Sequence, residues 1–409
     1  MEYRDHTLYS EDVPLADIAR REGTPCYVYS RAAILERLQA YDDAFGAVPH
    51  KVCYAVKANG NLAILKLLAQ AGAGFDIVSG GELFRVLKAG ADPCGVIFSG
   101  VGKTAQELDY ALEHNIRSFN CESEPELALI DSLAARRQVK ARVAIRVNPD
   151  VDASTHPYIS TGLRKHKFGI DISEATGVYE RAKAFGNLLV EGVSCHIGSQ
   201  IVDLDPMLEV FDKMVALVER LRASGLPIRT LDLGGGLGVR YKPNDKALSI
   251  PEFIHAMSAK VGGHGLEILI EPGRSIVAEA GALLTRVLYR KTSGDRNFVI
   301  VDAAMNDLIR PALYHSHHEI IPLRQNQAGT ITADVVGPVC ESGDFLARGR
   351  EMANVLPGDL LAVCTAGAYG FVAASNYNAR PRPPEVLIER DRYRVIRRRE
   401  TYDDLIRGE

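Results

Sequence analysis

The sequence predicts an α/β fold, in which a (β/α)8 barrel of the TIM type precedes a mostly-β domain. Eight short apolar runs, rich in β-branched residues, lie between positions 52 and 270 and alternate with stretches of helical periodicity. Strands that are buried on both faces and separated by helices are typical of parallel βαβ units, and eight such units close a barrel. After Gly281 the apolar runs are joined by turns with little helix, which indicates a second, β-rich domain.

The predicted barrel strands follow an edge segment at 26–30. They are 52–56, 75–78, 96–99, 118–121, 142–147, 189–196, 230–233 and 267–270. Helical spacing between them is clear, for example at Met207, Phe211, Val215, Val218 and Leu221. A doubly wound open sheet is the alternative, but it would place a G-x-G-x-x-G turn after the first strand. The chain has KANGN at 57–61 instead.

The second domain is expected to span 282–409, after a barrel domain at 25–281. Its predicted strands are 282–291, 297–302, 330–336, 359–364 and 385–398. Residues 1–24 are a candidate addition to this domain, because the two chain ends flank the barrel segment.

Composition excludes several classes of protein. The 409 residues carry 48 basic and 52 acidic side chains, so there is no basic excess for binding nucleic acid. The seven cysteines are scattered and include no C-x-x-C pair, which is typical of a reducing compartment. The segment 1–23 has no apolar core of a secretory signal, and no run reaches the ~18 apolar residues of a membrane span. We expect a cytoplasmic protein without nucleic-acid or membrane partners.

The first two strand ends carry a lysine and an aspartate. Lys57 directly follows a buried apolar run, where desolvation lowers the pKa of an amine and suits it to Schiff-base chemistry. The alternative is a surface lysine that reaches solvent from the strand end. The second strand ends with Asp76 and the run SGGE at 79–82, which by itself is only a tight turn into a helix.

Strand ends six to eight carry a histidine and two glycine-containing turns. His196 could stack on a flat ligand ring, or be a hydrogen-bonded core histidine. The run GGGLG at 234–238 leaves backbone N–H groups available to an anion, and EPGR at 271–274 ends the eighth strand. Strand ends seven and eight are the usual phosphate site of a barrel.

Together these strand ends indicate pyridoxal 5'-phosphate. The cofactor has a carbonyl that can react with Lys57 and a flat ring that can stack on His196. Its phosphate suits the glycine run, and its pyridine nitrogen suits Glu271. A protonated pyridine withdraws electrons from the α-carbon of an amino acid. No metal site is expected, because His315, His317 and His318 form no recognised zinc spacing.

Motifs along nearly the whole chain resemble the fold-type III pyridoxal-phosphate decarboxylases, and most closely the diaminopimelate decarboxylases. They are CYAVKAN at 53–59, FDIVSGGEL at 75–83, NPDVDASTHPYISTGLRKHKFGI at 148–170, HIGSQ at 196–200, LDLGGGLGV at 231–239, EPGR at 271–274, CESGDFLA at 340–347 and AGAYG at 366–370. The resemblance implies decarboxylation of meso-diaminopimelate to L-lysine and CO2 in lysine biosynthesis. It also implies an alanine-racemase-like barrel, and a homodimer whose active sites are shared between subunits.

The resemblance also implies a cofactor role for a set of barrel residues. Lys57 would form the Schiff base, His196 would stack on the ring and Glu271 would hold the pyridine nitrogen. The remaining cofactor-binding residues would be Asp76, Ser199, Gly236, Gly273, Arg274 and Tyr369. Arg274 is ambiguous, because related decarboxylases direct this arginine to the phosphate and diaminopimelate enzymes direct it to the substrate carboxylate.

Four further residues match substrate or proton-transfer positions of the family. Arg310 and Tyr314 would bind the distal carboxylate of the substrate. Cys340 and Glu341 would come from the other subunit, with Glu341 reading the distal amine. The proton that reaches the α-carbon could come from Cys340, Lys57 or a water.

Alternative functions differ in substrate or in class. The same chemistry could act on ornithine, arginine or carboxynorspermidine, although Arg310 beside an acid favours a substrate with two amino acid ends. An alanine-racemase-like activity is disfavoured, because Glu271 stands where that enzyme has a basic residue. A catalytically silent homologue that binds a partner protein would typically lose Lys57 or Cys340, and both are present.

Overall fold

The computed structural model describes residues 1–151, 167–325 and 329–409, which form two compact units. The barrel unit consists of Arg37–Val239 and Lys246–Ser275, and the strand-rich unit consists of Met1–Glu36, Arg240–Asp245 and Ile276–Glu409. The sequence-based domain limits, 25–281 and 282–409, stay a prediction. They differ from the compact units at 25–36, 240–245 and 276–281, which belong to the strand-rich unit.

The strands of the described residues are β1 Glu2–Arg4, β2 Thr7–Ser10, β3 Val13–Pro14, β4 Cys26–Ser30, β5 His50–Ala55, β6 Gly74–Ile77, β7 Val96–Phe98, β8 Ser118–Cys121, β9 Ala141–Asn148, β10 Ile170–Asp171, β11 Leu188–Ser194, β12 Thr230–Asp232, β13 Glu267–Ile270, β14 Gly281–Ser293, β15 Arg296–Val301, β16 Ile320–Pro322, β17 Thr330–Val336, β18 Phe345–Ala353, β19 Leu360–Val363, β20 Glu385–Glu389 and β21 Arg392–Arg397. The helices are α1 Leu15–Glu22, α2 Arg31–Phe45, α3 Leu62–Gln70, α4 Gly80–Lys88, α5 Ala105–Glu113, α6 Glu124–Arg137, α7 Ile172–Ala182, α8 Asp205–Ala223, α9 Ile250–Val261, α10 Arg274–Val277, α11 Arg310–Tyr314 and α12 Tyr402–Leu405.

The barrel unit contains a closed parallel barrel, as the sequence predicts. Its strand order is β9-β11-β12-β13-β5-β6-β7-β8, and pairing of β8 with β9 closes the ring. The short strand β10 pairs with the last two residues of β9, Val147 and Asn148. All these pairings are parallel, so the C-terminal ends of the strands meet at one rim.

Six barrel helices, α3 to α7 and α9, begin after a polar residue whose side chain caps the first turn. The side chain of Thr104 accepts a hydrogen bond from the Glu107 N–H and Glu107 returns one, and Ser249 and Glu252 repeat this arrangement at α9. Helix α8 buries one apolar stripe that includes Phe211 and agrees with the predicted spacing except at Val215, which is only half-buried. In the part of the chain that the structure describes, no helix is both long and apolar enough to cross a membrane.

The main sheet of the strand-rich unit has the order β18-β17-β15-β14-β4-β20-β21. The long strand β14 pairs with β4 and β19 through its first half and with β15 through its second half. The N-terminal strand β4 lies between β14 and β20, antiparallel to the first and parallel to the second. The two ends of the chain therefore meet in one sheet.

Several boundaries differ from the sequence prediction. The segment 385–398, predicted as one strand, is a hairpin that turns at Arg390. Arg390 has a positive φ of 57°, and no glycine in the sequence marks this turn. Strand β18 was not predicted, because its run GRE at 349–351 reads as a solvated loop. Strand β11 ends at Ser194 rather than at 196, so His196 lies in the turn that follows. Most of the quoted segment 148–170 lies outside the described residues.

Candidate active site

Lys57 and Asp76 meet at the rim of the barrel. Lys57 lies in a short 3-10 turn directly after β5, and Asp76 belongs to the neighbouring strand β6. Because Ala55 is paired in register with Asp76, the residue two positions on reaches the same carboxylate. Nζ of Lys57 lies 3.1 Å from Oδ2 of Asp76, which is fully buried. The lysine ammonium is therefore held by a carboxylate at the strand ends.

The second oxygen of Asp76 marks a site for a bound polar group. Oδ1 is buried and has no hydrogen-bond partner among the described residues. A buried acceptor left without a donor costs about 1–3 kcal/mol, so such oxygens are normally satisfied. A ligand with a donor group beside Lys57 would satisfy it. The residues present therefore fit a polar cofactor that attaches to the lysine.

Glu271 lies on the same rim, directly after β13, and is held by two side chains. Its Oε1 accepts hydrogen bonds from Oγ of Ser99 at 3.2 Å and from Nδ2 of Asn120 at 3.1 Å. The same Asn120 amide donates to Oδ2 of Asp232 at 2.8 Å. Asn120 thus fixes two buried carboxyl groups side by side.

Burial disfavours the charged form of both carboxyl groups. Burial raises the pKa of Glu271 well above its ordinary value, and the negative charges of Asp232 and Asp76 raise it further, while Lys57 opposes them. Burial also raises the pKa of Asp232, and the hydrogen bonds from Asn120 and from the Gly234 N–H oppose this shift. Like charges in one dry site disfavour double ionisation. The pKa values of both carboxyl groups therefore lie above their ordinary values.

His196 lies in the turn after β11 and is neutral. The backbone N–H of Gly235 donates to its Nδ1 at 3.2 Å, so the ring proton is on Nε2. Burial lowers the pKa of His196 well below its ordinary value, and the charges of Arg146 and Lys57 add to this shift. A neutral, oriented imidazole suits stacking on an aromatic ring.

The glycine run after β12 follows a path that side chains cannot share. Gly234 and Gly236 have φ values of 66° and 104°, which favour glycine. A Cβ at Gly235 would lie 2.2 Å from the backbone oxygen of Glu271, and a Cβ at Gly236 would lie 2.5 Å from that of Gly198. The bare backbone of this turn therefore lies directly against the strand that presents Glu271.

Gly235→Ala tests whether this close approach builds the cofactor site. The added Cβ forces the turn away from Glu271, and overpacking of this kind costs about 1–3 kcal/mol. We expect affinity for pyridoxal phosphate, measured by absorbance titration, to fall at least about tenfold. Gly102→Ala is the matched control, because a Cβ at that exposed position meets nothing within 4 Å. Equal affinities in the two variants would contradict the assignment.

Arg274 and Ser199 lie together beside this turn. Nη2 of Arg274 donates to Oγ of Ser199 at 3.0 Å, and Arg274 is mostly buried. Its neighbour Gly273 packs so closely that a Cβ would lie 2.9 Å from that of Ala58. A buried guanidinium bonded to a serine hydroxyl is an arrangement suited to an anion. The arginine therefore lies with a residue expected at the phosphate.

The strand-rich unit places Arg310 in a buried setting on α11. Its Nη1 lies 2.8 Å from Nε2 of His318, and its guanidinium carbon lies 4.5 Å from the centre of the Tyr241 ring. Tyr314 is half-buried one helical turn further along. The cation is held between a ring face and an imidazole.

Cys340, Glu341 and Tyr369 lie in loops of the same unit. Cys340 and Glu341 are exposed, and the Cys340 N–H donates to Oδ1 of Asn378 at 2.8 Å. The hydroxyl of Tyr377 donates to Oε2 of Glu341 at 3.4 Å. Tyr369 adopts a positive φ of 57° in the loop after β19. The pair at 340–341 is thus oriented by contacts within its own unit.

The expected site residues divide between the two units. The barrel unit holds Lys57, Asp76, His196, Ser199, Gly236, Glu271, Gly273 and Arg274, and the strand-rich unit holds Arg310, Tyr314, Cys340, Glu341 and Tyr369. The charge of Lys57 acts on both His196 and Glu271, so these three form one electrostatic cluster.

Sequence reasoning missed the residues that support this cluster, among them Asn120 and Asp232. Both are polar residues within buried barrel strands, and Asp232 directly precedes the glycine-containing turn. A buried polar residue needs a partner, so this signal could have marked them. The sequence pattern marks His318 only as a candidate metal ligand.

Comparisons with known proteins agree with this geometry. Residues 31–278 match the family model described as pyridoxal-dependent decarboxylase, pyridoxal binding domain. Diaminopimelate decarboxylase of Pseudomonas aeruginosa is 54% identical over 100% of this chain and 98% of the relative, and that of Vibrio cholerae is 51% identical over 98% and 96%. The crystal structure of the Helicobacter pylori enzyme complexed with L-lysine has a TM-score of 0.93 and 44% identity, covering 96% of this chain and 98% of that one.

These findings confirm the predicted fold class, the decarboxylase chemistry and the cofactor. The matched family is defined by pyridoxal binding, and its match covers the barrel segment with Lys57 and Glu271. The enzyme is a carboxy-lyase that uses pyridoxal 5'-phosphate. Because relatives of more than 50% identity span the full chain, the chain belongs to the diaminopimelate decarboxylases within the pyridoxal-dependent decarboxylase family.

Proposed function

We propose that this enzyme releases CO2 from meso-2,6-diaminopimelate and yields L-lysine, a step of lysine biosynthesis. The observation that carries the proposal is the barrel-rim cluster, in which the Lys57 charge acts on His196 and on the buried acid Glu271. Relatives that share the full length of the chain carry the name of this activity.

The residues that would hold the cofactor each have a defined task. Lys57 offers the amine to which the cofactor attaches, and Asp76 keeps that amine in place at the rim. Glu271 would hold the pyridine nitrogen of the cofactor, and Ser99 and Asn120 would orient its carboxyl group for that contact. When bound, the cofactor supplies an electron-withdrawing pyridine ring for breaking a bond at the α-carbon.

The phosphate would lie against a second group of barrel residues. Gly236, Ser199 and Gly273 line this part of the rim, and Tyr369 would add a hydroxyl. Arg274 donates to Ser199, which supports a role at the phosphate as well as at the substrate carboxylate. A serine, an arginine and bare glycine backbone are donors suited to a phosphate.

Substrate selection would depend on the residues of the strand-rich unit. In this proposal Arg310 and Tyr314 bind the distal carboxylate, and Glu341 binds the distal ammonium. Arg310 is buried, where a planar guanidinium discriminates strongly for a carboxylate. A substrate without that carboxylate, such as ornithine, would leave this cation unmatched.

We also propose a cytoplasmic homodimer in which Cys340 and Glu341 complete the partner's site. The exposure of both residues supports this, since they are accessible from outside their own chain. Cys340 would then be one candidate donor of the proton to the α-carbon, with Lys57 and a water as the others. A sedimentation mass of one chain for the active enzyme would contradict the assembly.

A substrate panel tests the proposed function. Purified enzyme loaded with pyridoxal phosphate is supplied with meso-diaminopimelate, ornithine, arginine and carboxynorspermidine, and CO2 release is measured. We expect kcat/KM for diaminopimelate to exceed that for each other substrate by at least about 100-fold, because the distal carboxylate is met by a buried cation. Equal or reversed rates would reject the proposal in favour of another basic amino acid.

A further inference from the structure

The orientation of Arg310 depends on a buried histidine. Nε2 of His318 lies 2.8 Å from Nη1 of Arg310, and the His318 side chain is completely shielded from solvent. The ring of Tyr241 covers the guanidinium from a second direction and also meets His318 edge to face, with 5.3 Å between ring centres. The three side chains therefore form one packed group.

The tautomer of His318 follows from its other contact. Nδ1 lies 2.8 Å from the backbone oxygen of Cys364, and a carbonyl oxygen only accepts hydrogen bonds. The ring proton is therefore on Nδ1, and Nε2 presents a lone pair to the arginine. Cys364 directly follows strand β19, and its N–H donates to the oxygen of Glu319. The backbone next to β19 thus orients the His318 imidazole, and the imidazole in turn orients Arg310.

A histidine acceptor differs from the usual carboxylate partner of an arginine in one respect. A carboxylate would bring a negative charge to the guanidinium that it orients, whereas a neutral imidazole orients the guanidinium and adds no charge of its own. Within a buried setting, charge retained on the arginine strengthens its attraction for an anionic ligand. Tyr241 acts in the same direction, since a ring face supports a cation without cancelling it.

We infer that His318 is a positioning residue that holds Arg310 as a charged fork for the distal carboxylate of the substrate. The inference rests on the proposed function, in which Arg310 reads that carboxylate. Its prediction is specific: loss of the Nε2 acceptor weakens ligands that carry the carboxylate and leaves matched ligands without it unchanged.

Two substitutions at His318 separate its two contacts. His318→Asn keeps an amide donor near the Nδ1 position, toward Cys364, and removes the acceptor that faces Arg310. His318→Gln places an amide oxygen near the Nε2 position and restores that acceptor. The probes are L-lysine and 1,5-diaminopentane, which differ only in the carboxylate, used as competitive inhibitors of diaminopimelate decarboxylation.

We expect His318→Asn to raise the inhibition constant of L-lysine and the KM for diaminopimelate by roughly tenfold, the range of a hydrogen bond to a charged group. The inhibition constant of 1,5-diaminopentane is expected to stay within about twofold, and His318→Gln to recover most of the L-lysine affinity. In an Arg310→Lys background the effect of His318→Asn should largely vanish, because the two residues act as a unit.

The outcomes distinguish this inference from the proposed function. A wild-type enzyme that binds L-lysine no better than 1,5-diaminopentane would overturn the role of Arg310 and the inference with it. A wild-type enzyme that discriminates as expected, with a His318→Asn variant that does so equally, would overturn the inference alone. Equal weakening of both inhibitors would show general damage to the unit and would also overturn it.

Discussion

Lys57→Ala is expected to abolish CO2 release, by at least about 10⁴-fold in kcat/KM, because the amine that holds the cofactor is removed. Asp76 would then have no ammonium against its Oδ2 and would remain as a buried, unmatched carboxylate. The absorbance of the lysine-bound cofactor at about 420 nm should be lost in the same variant. Both measurements are made on protein reconstituted with excess pyridoxal phosphate.

Lys51→Ala is the matched control for this variant. Lys51 belongs to the same strand β5 but lies at its other end, where its Nζ donates to the backbone oxygen of Gly72 at 2.8 Å. The kcat/KM and the 420 nm absorbance of the Lys51→Ala enzyme should remain within about twofold of wild type, because an exposed surface contact contributes little. A Lys57→Ala enzyme that keeps the absorbance band would contradict the assignment of this lysine.

Glu271→Gln is expected to lower kcat by about 10²–10³-fold, because the ring nitrogen loses the acid that keeps it protonated. The amide oxygen can still accept hydrogen bonds from Ser99 and Asn120, so we expect the fold to be preserved. Affinity for the cofactor should change far less than kcat, since the phosphate contacts lie on other residues.

The same substitution is expected to stabilise the cofactor-free protein at alkaline pH. The pKa of Glu271 is raised in the folded chain, mainly by burial, from an ordinary value of 4.5. The folded state therefore binds the extra proton, and stability from this group is complete below about pH 4.5 and lost as the pH rises toward the folded pKa. A neutral glutamine removes that loss, so the thermal midpoint of the variant should exceed that of wild type at pH 8 and match it near pH 4.5.

Glu267→Gln is the control for both effects of Glu271→Gln. Glu267 begins the strand that Glu271 follows and forms a partly exposed ion pair with Arg117. Its replacement should leave kcat within about twofold and should give no stabilisation at pH 8. If the two variants behaved alike, the buried pair of Glu271 and Asp232 would not be the cause.

The barrel and the rim residues were predictable because a parallel barrel brings strand ends together whatever the loops do. Lys57, Asp76 and Glu271 each close an apolar run, so pattern alone places them on one rim. Their resemblance to family motifs then gave each a role. The roles of the individual residues remain predictions for the variants above to test.

The remainder could not be predicted from local patterns. The hairpin at Arg390 has no glycine or asparagine in its turn, so the segment reads as one continuous strand. Asn120 serves Asp232 and Glu271 from more than 110 positions away in the sequence, and only the closed barrel brings them together. His318 is oriented by the backbone carbonyl of Cys364, which is 46 positions later in the chain, and sequence periodicity does not reveal this contact.

The central position of β4 has a consequence for biosynthesis. Tyr29 of this wholly buried strand donates to Oε1 of Glu385, which is 356 positions later in the chain. At 5–20 residues per second, the ribosome needs roughly 20–70 s to deliver that neighbour. Throughout this interval a short apolar segment with strong β propensity awaits its partner, which makes it a target for chaperones and a nucleus for aggregation. Nonsense truncation ahead of Glu385 would make the wait permanent, so such products should appear as inclusion bodies rather than as folded fragments.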